Sequence, residues 1–240
     1  MNIVITGASS GIGFATALAV FKKNGNRVFA ISRSKERLSV LKETCEATAA
    51  DGKIIPIQFD ITSNEAEFRN ILFSEISKNC GTIDVIINNA GLFVNKLFEQ
   101  TGEELWAKIF ATNLMGPVRL IKTLLPLLRK AKNPHIINIG SMGGFQGSEK
   151  FPGFTAYTAS KSALIGLTEC LAREFRDTDK HISVNCICPG TVRTKMQSEA
   201  FPDKKATVTA EEIGEFVAQF ALNGSSLFNG KIIPVALETP

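Results

Sequence analysis

Near the start of the chain lies the stretch Asn2-Ile3-Val4-Ile5-Thr6-Gly7-Ala8-Ser9-Ser10-Gly11-Ile12-Gly13, an apolar run that leads directly into a turn with three glycines. A helical pattern over residues 15–22 follows at once. Gly7 permits a tight turn, Gly11 lets the backbone approach a pyrophosphate, and Gly13 allows close helix packing. The N–H groups at the start of the helix would face the anion. This order of strand, turn and helix predicts a dinucleotide-binding site.

A mononucleotide P-loop is excluded at this turn. That motif ends in Gly-Lys followed by Ser or Thr, whereas this turn ends in Gly13-Phe14 and offers no lysine to terminal phosphates. The alternative is a glycine-rich connection without a ligand.

Short runs rich in Ile and Val recur along the chain, and longer stretches with helical periodicity lie between them. Regular alternation of strand and helix predicts an α/β fold with a parallel sheet. Strands that are apolar on nearly every position are expected where helices cover both faces. We therefore predict a single domain over residues 1–240, a Rossmann-like doubly wound parallel sheet of about seven strands, at residues 2–6, 27–31, 53–59, 83–88, 135–140, 181–188 and 231–236.

Charge and composition argue against several classes of partner and site. The 27 basic and 23 acidic residues are spread along the chain without a dense basic run, so we expect no nucleic-acid and no membrane partner. With no charged leader or long apolar span, we expect a cytoplasmic protein. The five cysteines suggest reduced core thiols. Since His135 and His181 are isolated, we expect no metal site.

The end of the second strand predicts which dinucleotide binds. A ribose with a free 2′-hydroxyl would need an acidic residue about 20 positions past the glycines, and Ser32 stands there instead. Arg33 follows, and its guanidinium suits a 2′-phosphate. The sequence thus favours NADP over NAD, with Lys35 as a candidate to assist Arg33.

The single tyrosine, Tyr157, lies four positions before Lys161 in a run with helical periodicity, so both side chains are expected on one helix face. A cation about 4 Å from a phenol favours the phenolate by about 4 kcal/mol at an effective dielectric near 20. Such a charge would bring the pKa of the phenol from about 10 toward about 7, where an acid or base works best. The pair is a candidate acid-base group, and the alternative is a solvated helix face.

Together, the glycine-rich turn, Asn88-Asn89-Ala90-Gly91, Asn113, Ser141, the Tyr157/Lys161 pair and Pro189-Gly190 resemble the short-chain dehydrogenase/reductase family. The resemblance spans residues 2 to about 236. Two features depart from it, a longer segment between Ser141 and Tyr157 and the absence of an Asp-Gly-Gly ending. The longer segment, residues 142–156, is expected to supply an apolar pocket wall, and a dimer is as plausible as the tetramer.

The resemblance implies roles for individual residues. Asn113 would belong to a proton relay, Ser141 would hydrogen-bond the substrate oxygen, and Tyr157 would exchange its proton. Lys161 would hold the nicotinamide ribose, Asp60 would contact the adenine, and Thr194 would anchor the carboxamide. The implied cofactor contacts are Gly7, Ser9, Ser10, Gly11, Ile12, Gly13, Ser32, Arg33, Asp60, Ile61, Asn88, Asn89, Ala90, Gly91, Tyr157, Lys161, Pro189, Gly190, Val192 and Thr194.

The activity implied by the resemblance is an NADP(H)-dependent oxidoreductase that interconverts a carbonyl and a secondary alcohol on a small molecule, acting as a reductase and assembling as a homodimer or homotetramer. Two alternatives stay open. A lyase or epimerase on the same scaffold would show no net NADPH consumption, and an NADPH-sensing binding protein would be expected to carry a damaged catalytic set.

Overall fold

The computed structural model describes residues 1–23, 25–178 and 180–237. A parallel sheet lies at its centre, and a ladder of two short strands lies beside the sheet. The strands in these residues are β1 (Asn2–Thr6), β2 (Arg27–Ser32), β3 (Lys53–Gln58), β4 (Val85–Asn88), β5 (His135–Ile139), β6 (Ser183–Pro189), β7 (Val192–Arg193), β8 (Val208–Thr209) and β9 (Ile232–Val235).

Helical segments connect the strands. The α-helices are α1 (Gly11–Phe21), α2 (Lys35–Glu46), α3 (Glu65–Glu67), α4 (Ser74–Asn79), α5 (Glu103–Phe110), α6 (Gly116–Leu128), α7 (Thr155–Glu174), α8 (Lys195–Ala200) and α9 (Ala210–Asn223). A π-helical stretch, Phe68–Phe73, joins α3 to α4, and a second, Ala111–Met115, joins α5 to α6. Short 3₁₀ turns span Phe98–Gln100, Met142–Gly144 and Gly224–Ser226.

The seven-stranded sheet has the order β3-β2-β1-β4-β5-β6-β9, and every neighbouring pair is parallel. The strand order reverses direction between β1 and β4, which lie side by side with Ile5 opposite Ile87. Ligands of open α/β sheets bind at such a point, outside the carboxyl ends of the strands. The topology therefore places the candidate site at the ends of β1 and β4.

Alternate residues of β1 explain the two layers of helices. Ile3 and Ile5 pack into one buried cluster with side chains of α1, α2 and α9, whereas Val4 packs into the other cluster with α6 and the helical segment 65–79. Successive strand residues point to opposite faces, so a strand covered on both sides is apolar throughout. This confirms the predicted doubly wound sheet.

Each of the seven predicted runs contains a strand of the sheet, with ends that differ by two residues or fewer. The short ladder of β7 and β8 was not predicted, because two residues per strand are too few to show a period. No helix in the described residues combines the length and the apolar character needed to cross a bilayer. The five cysteines are free thiols, as expected, but Cys170 is exposed rather than part of the core.

Candidate active site

The glycine-rich turn after β1 has the conformation that its glycines predict. Gly7 and Gly11 have φ angles of +66° and +53°, in the left-handed region that favours glycine. A Cβ atom at Gly13 would lie 2.3 Å from the main-chain oxygen of Gly7 and 2.3 Å from Nδ2 of Asn89. Gly13 therefore allows the first turn of α1 to pack directly against the loop, as expected.

The first turn of α1 is open to an anion. Ser10 precedes the helix in an extended conformation, its side chain makes no capping hydrogen bond, and the first turn carries no acidic residue. Several main-chain N–H groups of this turn consequently lack an intrahelical acceptor. The positive end of the helix dipole adds to their attraction for a phosphate.

A cavity of about 1050 Å³ runs along the carboxyl edge of the sheet from this turn to α7 and α8. Of the residues expected at the site, those that line the cavity are Gly7, Ser9, Ser10, Gly11, Ile12, Ser32, Arg33, Asp60, Ile61, Asn89, Ala90, Gly91, Ser141, Tyr157, Lys161, Pro189, Gly190, Val192 and Thr194. Gly13, Asn88 and Asn113 lie behind its surface.

One corner of the cavity combines hydroxyl groups with guanidinium groups. The Ser32 hydroxyl donates to Oγ of Ser9 over 2.7 Å, which joins the end of β2 to the glycine-rich turn. Arg33 and Arg37 line the cavity beside them, and both side chains are exposed. Lys35, the candidate to assist Arg33, does not line the cavity, whereas Arg37 does.

The side chains of Thr6 and Asn89 join the glycine-rich turn to the loop after β4. Nδ2 of Asn89 donates to the main-chain oxygens of Thr6 and Gly7 over 3.0 and 3.3 Å. The hydroxyl oxygen of Thr6 accepts from the main-chain N–H groups of Asn89 and Ala90, each over 3.1 Å. These bonds fix the loop after β4 against the glycine-rich turn at the topological switch.

Asn88 does not line the cavity, which corrects its expected place among the cofactor contacts. Its side chain is buried and donates to Oδ1 of Asn138 over 2.8 Å, and Asn138 in turn donates to the hydroxyl of Thr168 over 2.8 Å. The row of polar groups ties β4 and β5 to α7. Residues alternate across a strand, so Asn88 points away from the cavity that Asn89 lines.

Asp60, the expected adenine contact, makes a local turn. Its Oδ1 atom accepts from the main-chain N–H and the hydroxyl of Thr62, each over 2.8 Å. Thr194 lies beside the glycine-rich turn, where a Cβ atom at Gly11 would be 3.2 Å from its Cγ2 atom, and its hydroxyl caps α8 by accepting from the N–H of Gln197 over 3.2 Å. Both residues line the cavity. Their contacts with adenine and carboxamide stay predictions.

Asn113 lies in the π-helical stretch between α5 and α6 and is fully buried. Its side chain accepts from the N–H of Leu92 over 2.7 Å, donates to the oxygen of Leu92 over 3.0 Å, and donates to the hydroxyl of Ser160 over 2.9 Å. A π-helical stretch commonly marks a functional site. These bonds join the loop after β4 to α7, and a role of Asn113 in a proton relay stays a prediction.

Tyr157 and Lys161 share one face of α7, as predicted, with Nζ of Lys161 5.8 Å from the centre of the Tyr157 ring. The ammonium is buried and donates to the main-chain oxygen of Ile139 over 2.7 Å. Burial lowers the pKa of Lys161 to about 8, against the opposing effect of the Cys186 and Cys188 thiols. The lysine is therefore a cation held close to its titration point.

The pKa of Tyr157 moves in the direction opposite to the prediction. Burial of the phenol raises its pKa above the ordinary value of 10.0, an interaction with the Ser141 side chain partly opposes this, and Cys188 adds to it. Lys161 is not among these causes, and its ammonium donates to the main-chain oxygen of Ile139. In this structure the phenol stays protonated through the neutral range.

Ser141 stands at the end of β5, next to Tyr157 in the cavity. Its Oγ atom accepts from the N–H of Gly143 over 3.1 Å, at the start of a 3₁₀ turn. That bond uses an acceptor site of the hydroxyl and leaves its proton available. Ser141 and Tyr157 thus bring two hydroxyl donors to one end of the cavity whose other end is the glycine-rich turn.

This arrangement of a glycine-rich turn, a switch-point cavity and convergent hydroxyl donors defines a dinucleotide-binding enzyme of the Rossmann type. The sequence model of the short chain dehydrogenase family matches residues 1–205. The chain belongs to that family.

Relatives and solved structures agree with the assignment. A 3-oxoacyl-[acyl-carrier-protein] reductase of Thermotoga maritima is 34% identical over 97% of this chain and 94% of its own length. A short chain dehydrogenase of Shigella flexneri complexed with NADP has a TM-score of 0.85 at 27% identity, over 97% of this chain and 95% of that one. The Pseudomonas aeruginosa RhlG/NADP active-site complex has a TM-score of 0.84 at 28% identity, over 98% and 94% of the two chains.

Proposed function

We propose that this protein is an NADP(H)-dependent reductase that converts a ketone into a secondary alcohol, with Tyr157 as the proton donor. The observation that carries the proposal is the convergence of Ser141, Tyr157 and Lys161 at one end of the cavity that begins at the glycine-rich turn. The two ends are joined by a single continuous surface, so a bound dinucleotide can reach both.

The residues present fit NADP(H). Side chains at Gly7 and Gly13 would collide with the loop after β4 or with the turn itself, so the glycines shape a turn against which a pyrophosphate fits. Arg33 and Arg37, with the hydroxyls of Ser9 and Ser32, supply the cations and donors that a 2′-phosphate requires. Asn89 lines the cavity beside the glycine-rich turn, and Lys161 lines it near the hydroxyl donors.

When bound, NADPH supplies the hydride that reduces a carbonyl carbon. The task of the protein is to stabilise the negative charge that grows on the carbonyl oxygen and to deliver a proton to it. Tyr157 is suited to donate that proton because its raised pKa keeps the phenol protonated at neutral pH. The hydroxyl of Ser141 donates a hydrogen bond to the same oxygen, and the Lys161 cation stabilises the tyrosinate that remains.

The names of the relatives support a ketone as the reacting group, since they are reductases of 3-oxoacyl compounds. For this chain the proposal extends to ketones as a class. A homodimer or homotetramer and a cytoplasmic location remain predictions.

The proposal is tested by measuring NADPH oxidation with ketones, aldehydes, quinones and acyl thioesters. Replacing Tyr157 by Phe removes the donated proton, so we expect kcat to fall by about 10²- to 10⁴-fold. The Kd for NADPH, measured by fluorescence titration, should stay within about two-fold, which shows that the variant is folded.

Equal turnover by the wild type and Tyr157→Phe would reject the assigned donor. Binding of NADPH without consumption of it by any carbonyl compound, together with isomerisation or cleavage of a substrate, would favour the lyase or epimerase instead.

A further inference from the structure

Four phenylalanine rings lie beside Tyr157 at the substrate end of the cavity. Phe93 follows β4, Phe151 and Phe154 belong to the long segment between Ser141 and Tyr157, and Phe201 follows α8. We call these four side chains the aromatic wall. All of them line the cavity, although they come from three separate parts of the chain.

The rings of the aromatic wall contact one another and the catalytic phenol. The Phe93 ring is 5.2 Å from the Tyr157 ring at an interplanar angle of 82° and 4.7 Å from the Phe154 ring at 73°. The Phe201 ring is 5.1 Å from Phe151 and 5.4 Å from Phe154. Three of these four pairs pack edge-to-face, and the Phe154–Phe201 pair is tilted at 53°.

Burial separates the aromatic wall into a rear and a front. Phe93 and Phe154 are each 8% exposed and pack behind the phenol. Phe151 and Phe201 are half-buried and still carry surface that the cavity can present to a ligand. Of the rear rings, Phe93 packs against Tyr157 and Phe154 packs against Phe93, whereas the front rings are available for a substrate.

We propose that the aromatic wall is a subsite for the ring of a planar aromatic ketone, and that Phe151 and Phe201 determine this specificity. The location rests on the proposed function, because the ring is placed next to the carbonyl that Tyr157 would protonate. Occupation of the subsite requires no hydride transfer, so binding and turnover can fail independently.

A planar ring fits this subsite better than an alkyl chain for two reasons. Each edge-to-face contact between rings adds to the free energy gained from apolar burial, and two contacts correspond to about ten-fold in Kd. A fused ring also has few rotatable bonds to immobilise, whereas a linear chain loses its rotational freedom on binding.

The test compares two ketones of equal carbon number, 1-indanone and 2-nonanone. Their Kd values are measured by calorimetry on the protein saturated with NADP⁺, which cannot reduce either ketone. Because 2-nonanone has the longer apolar chain, a pocket that selected by apolar surface alone would prefer it. We expect 1-indanone to bind at least ten-fold more tightly.

Replacing Phe151 and Phe201 together by Leu keeps the site apolar but removes the front rings. The preference for 1-indanone should then fall to within about two-fold, with each single variant in between. Phe98→Leu is the matched control, because Phe98 is 68% exposed and lies outside the cavity, and it should leave the preference unchanged. The single variants keep the test decisive if the double variant does not fold.

Tighter or equal binding of 2-nonanone by the wild type would overturn the subsite, as would a preference that survives in Phe151→Leu and in Phe201→Leu. Neither of these outcomes would contradict the proposed reductase activity. Conversely, a ring preference in binding without any NADPH consumption would support the subsite and reject the proposed reaction.

Discussion

Nζ of Lys161 lies 2.7 Å from the main-chain oxygen of Ile139, the last residue of β5. The bond fastens α7 to the carboxyl edge of the sheet and gives the buried ammonium an acceptor, which a buried charge requires. The same Nζ atom lies 5.8 Å from the centre of the Tyr157 ring. The proposed effect of Lys161 on Tyr157 therefore depends on the titration of Lys161 as well as on this distance.

The titration of Lys161 predicts how kcat/KM for reduction decreases at alkaline pH. Its pKa of about 8 lies below the ordinary value of 10.5, so the cation is lost at a lower pH than for an exposed lysine. The raised pKa of Tyr157 keeps this proposed donor protonated over the same range. We expect kcat/KM for reduction to fall about ten-fold per pH unit above about 8. The residual activity of Lys161→Met should not show this decrease. A wild-type kcat/KM that stays constant up to pH 9.5 would contradict the assignment.

Arg33 and Arg37 are expected to select NADPH over NADH. Each charged hydrogen bond to the 2′-phosphate contributes about 1.5–3 kcal/mol, or about ten- to one-hundred-fold in Kd. Arg33→Ala and Arg37→Ala should each weaken NADPH binding by this factor and leave NADH binding nearly unchanged in a fluorescence titration. Lys35→Ala is the control, because Lys35 does not line the cavity. A larger loss of NADPH binding in Lys35→Ala than in Arg37→Ala would favour Lys35 as the second cation.

Gly13→Ala is expected to disrupt the cofactor turn. The added methyl group would lie 2.3 Å from the main-chain oxygen of Gly7, and a main-chain atom in a packed turn has little room to move. We expect a loss of about 2 kcal/mol or more in the free energy of unfolding, together with weaker NADPH binding.

Gly166→Ala in α7 is the matched control for this change. A Cβ atom there meets nothing within 4 Å, so the better helix propensity of Ala should raise stability by about 0.5–1 kcal/mol. Denaturant unfolding measures both variants. Equal effects of the two substitutions would show that Gly13 is not required for packing.

His135 is expected to make the protein sensitive to mild acid. Burial lowers its pKa to about 4 from the ordinary 6.5, while a hydrogen bond at the backbone of Ala221 opposes the shift. Between these values the unfolded chain binds a proton that the folded protein does not, so stability falls as pH decreases from about 6.5 to about 4. At about 1.4 kcal/mol per unit, the loss approaches about 3 kcal/mol.

The measurement is the free energy of unfolding against pH for the wild type and for His135→Gln, which lacks the titrating group. The variant should lose less stability over this interval. His181→Gln is the control, because His181 is exposed and should follow the wild-type curve. Parallel curves for the wild type and His135→Gln would exclude His135 as the cause.

Short-range patterns were sufficient to predict the sheet and the glycine-rich turn. The apolar run at residues 83–88 and the positive φ angles of Gly7 and Gly11 follow from preferences that act within a few residues. The prediction that Asn88 contacts the cofactor was wrong, because it required knowing to which face of the sheet this strand residue points. The hydrogen bond to Asn138, 50 positions away, determines its environment.

The sequence alone determined the doubly wound α/β class, the shared helix face of Tyr157 and Lys161, and an arginine at the end of the second strand, since each depends on local spacing. Only the tertiary structure decided that Lys161 bonds to Ile139, that burial raises the pKa of Tyr157, and that Arg37 joins Arg33. Burial and through-space contacts depend on how distant segments pack, and no local period encodes them.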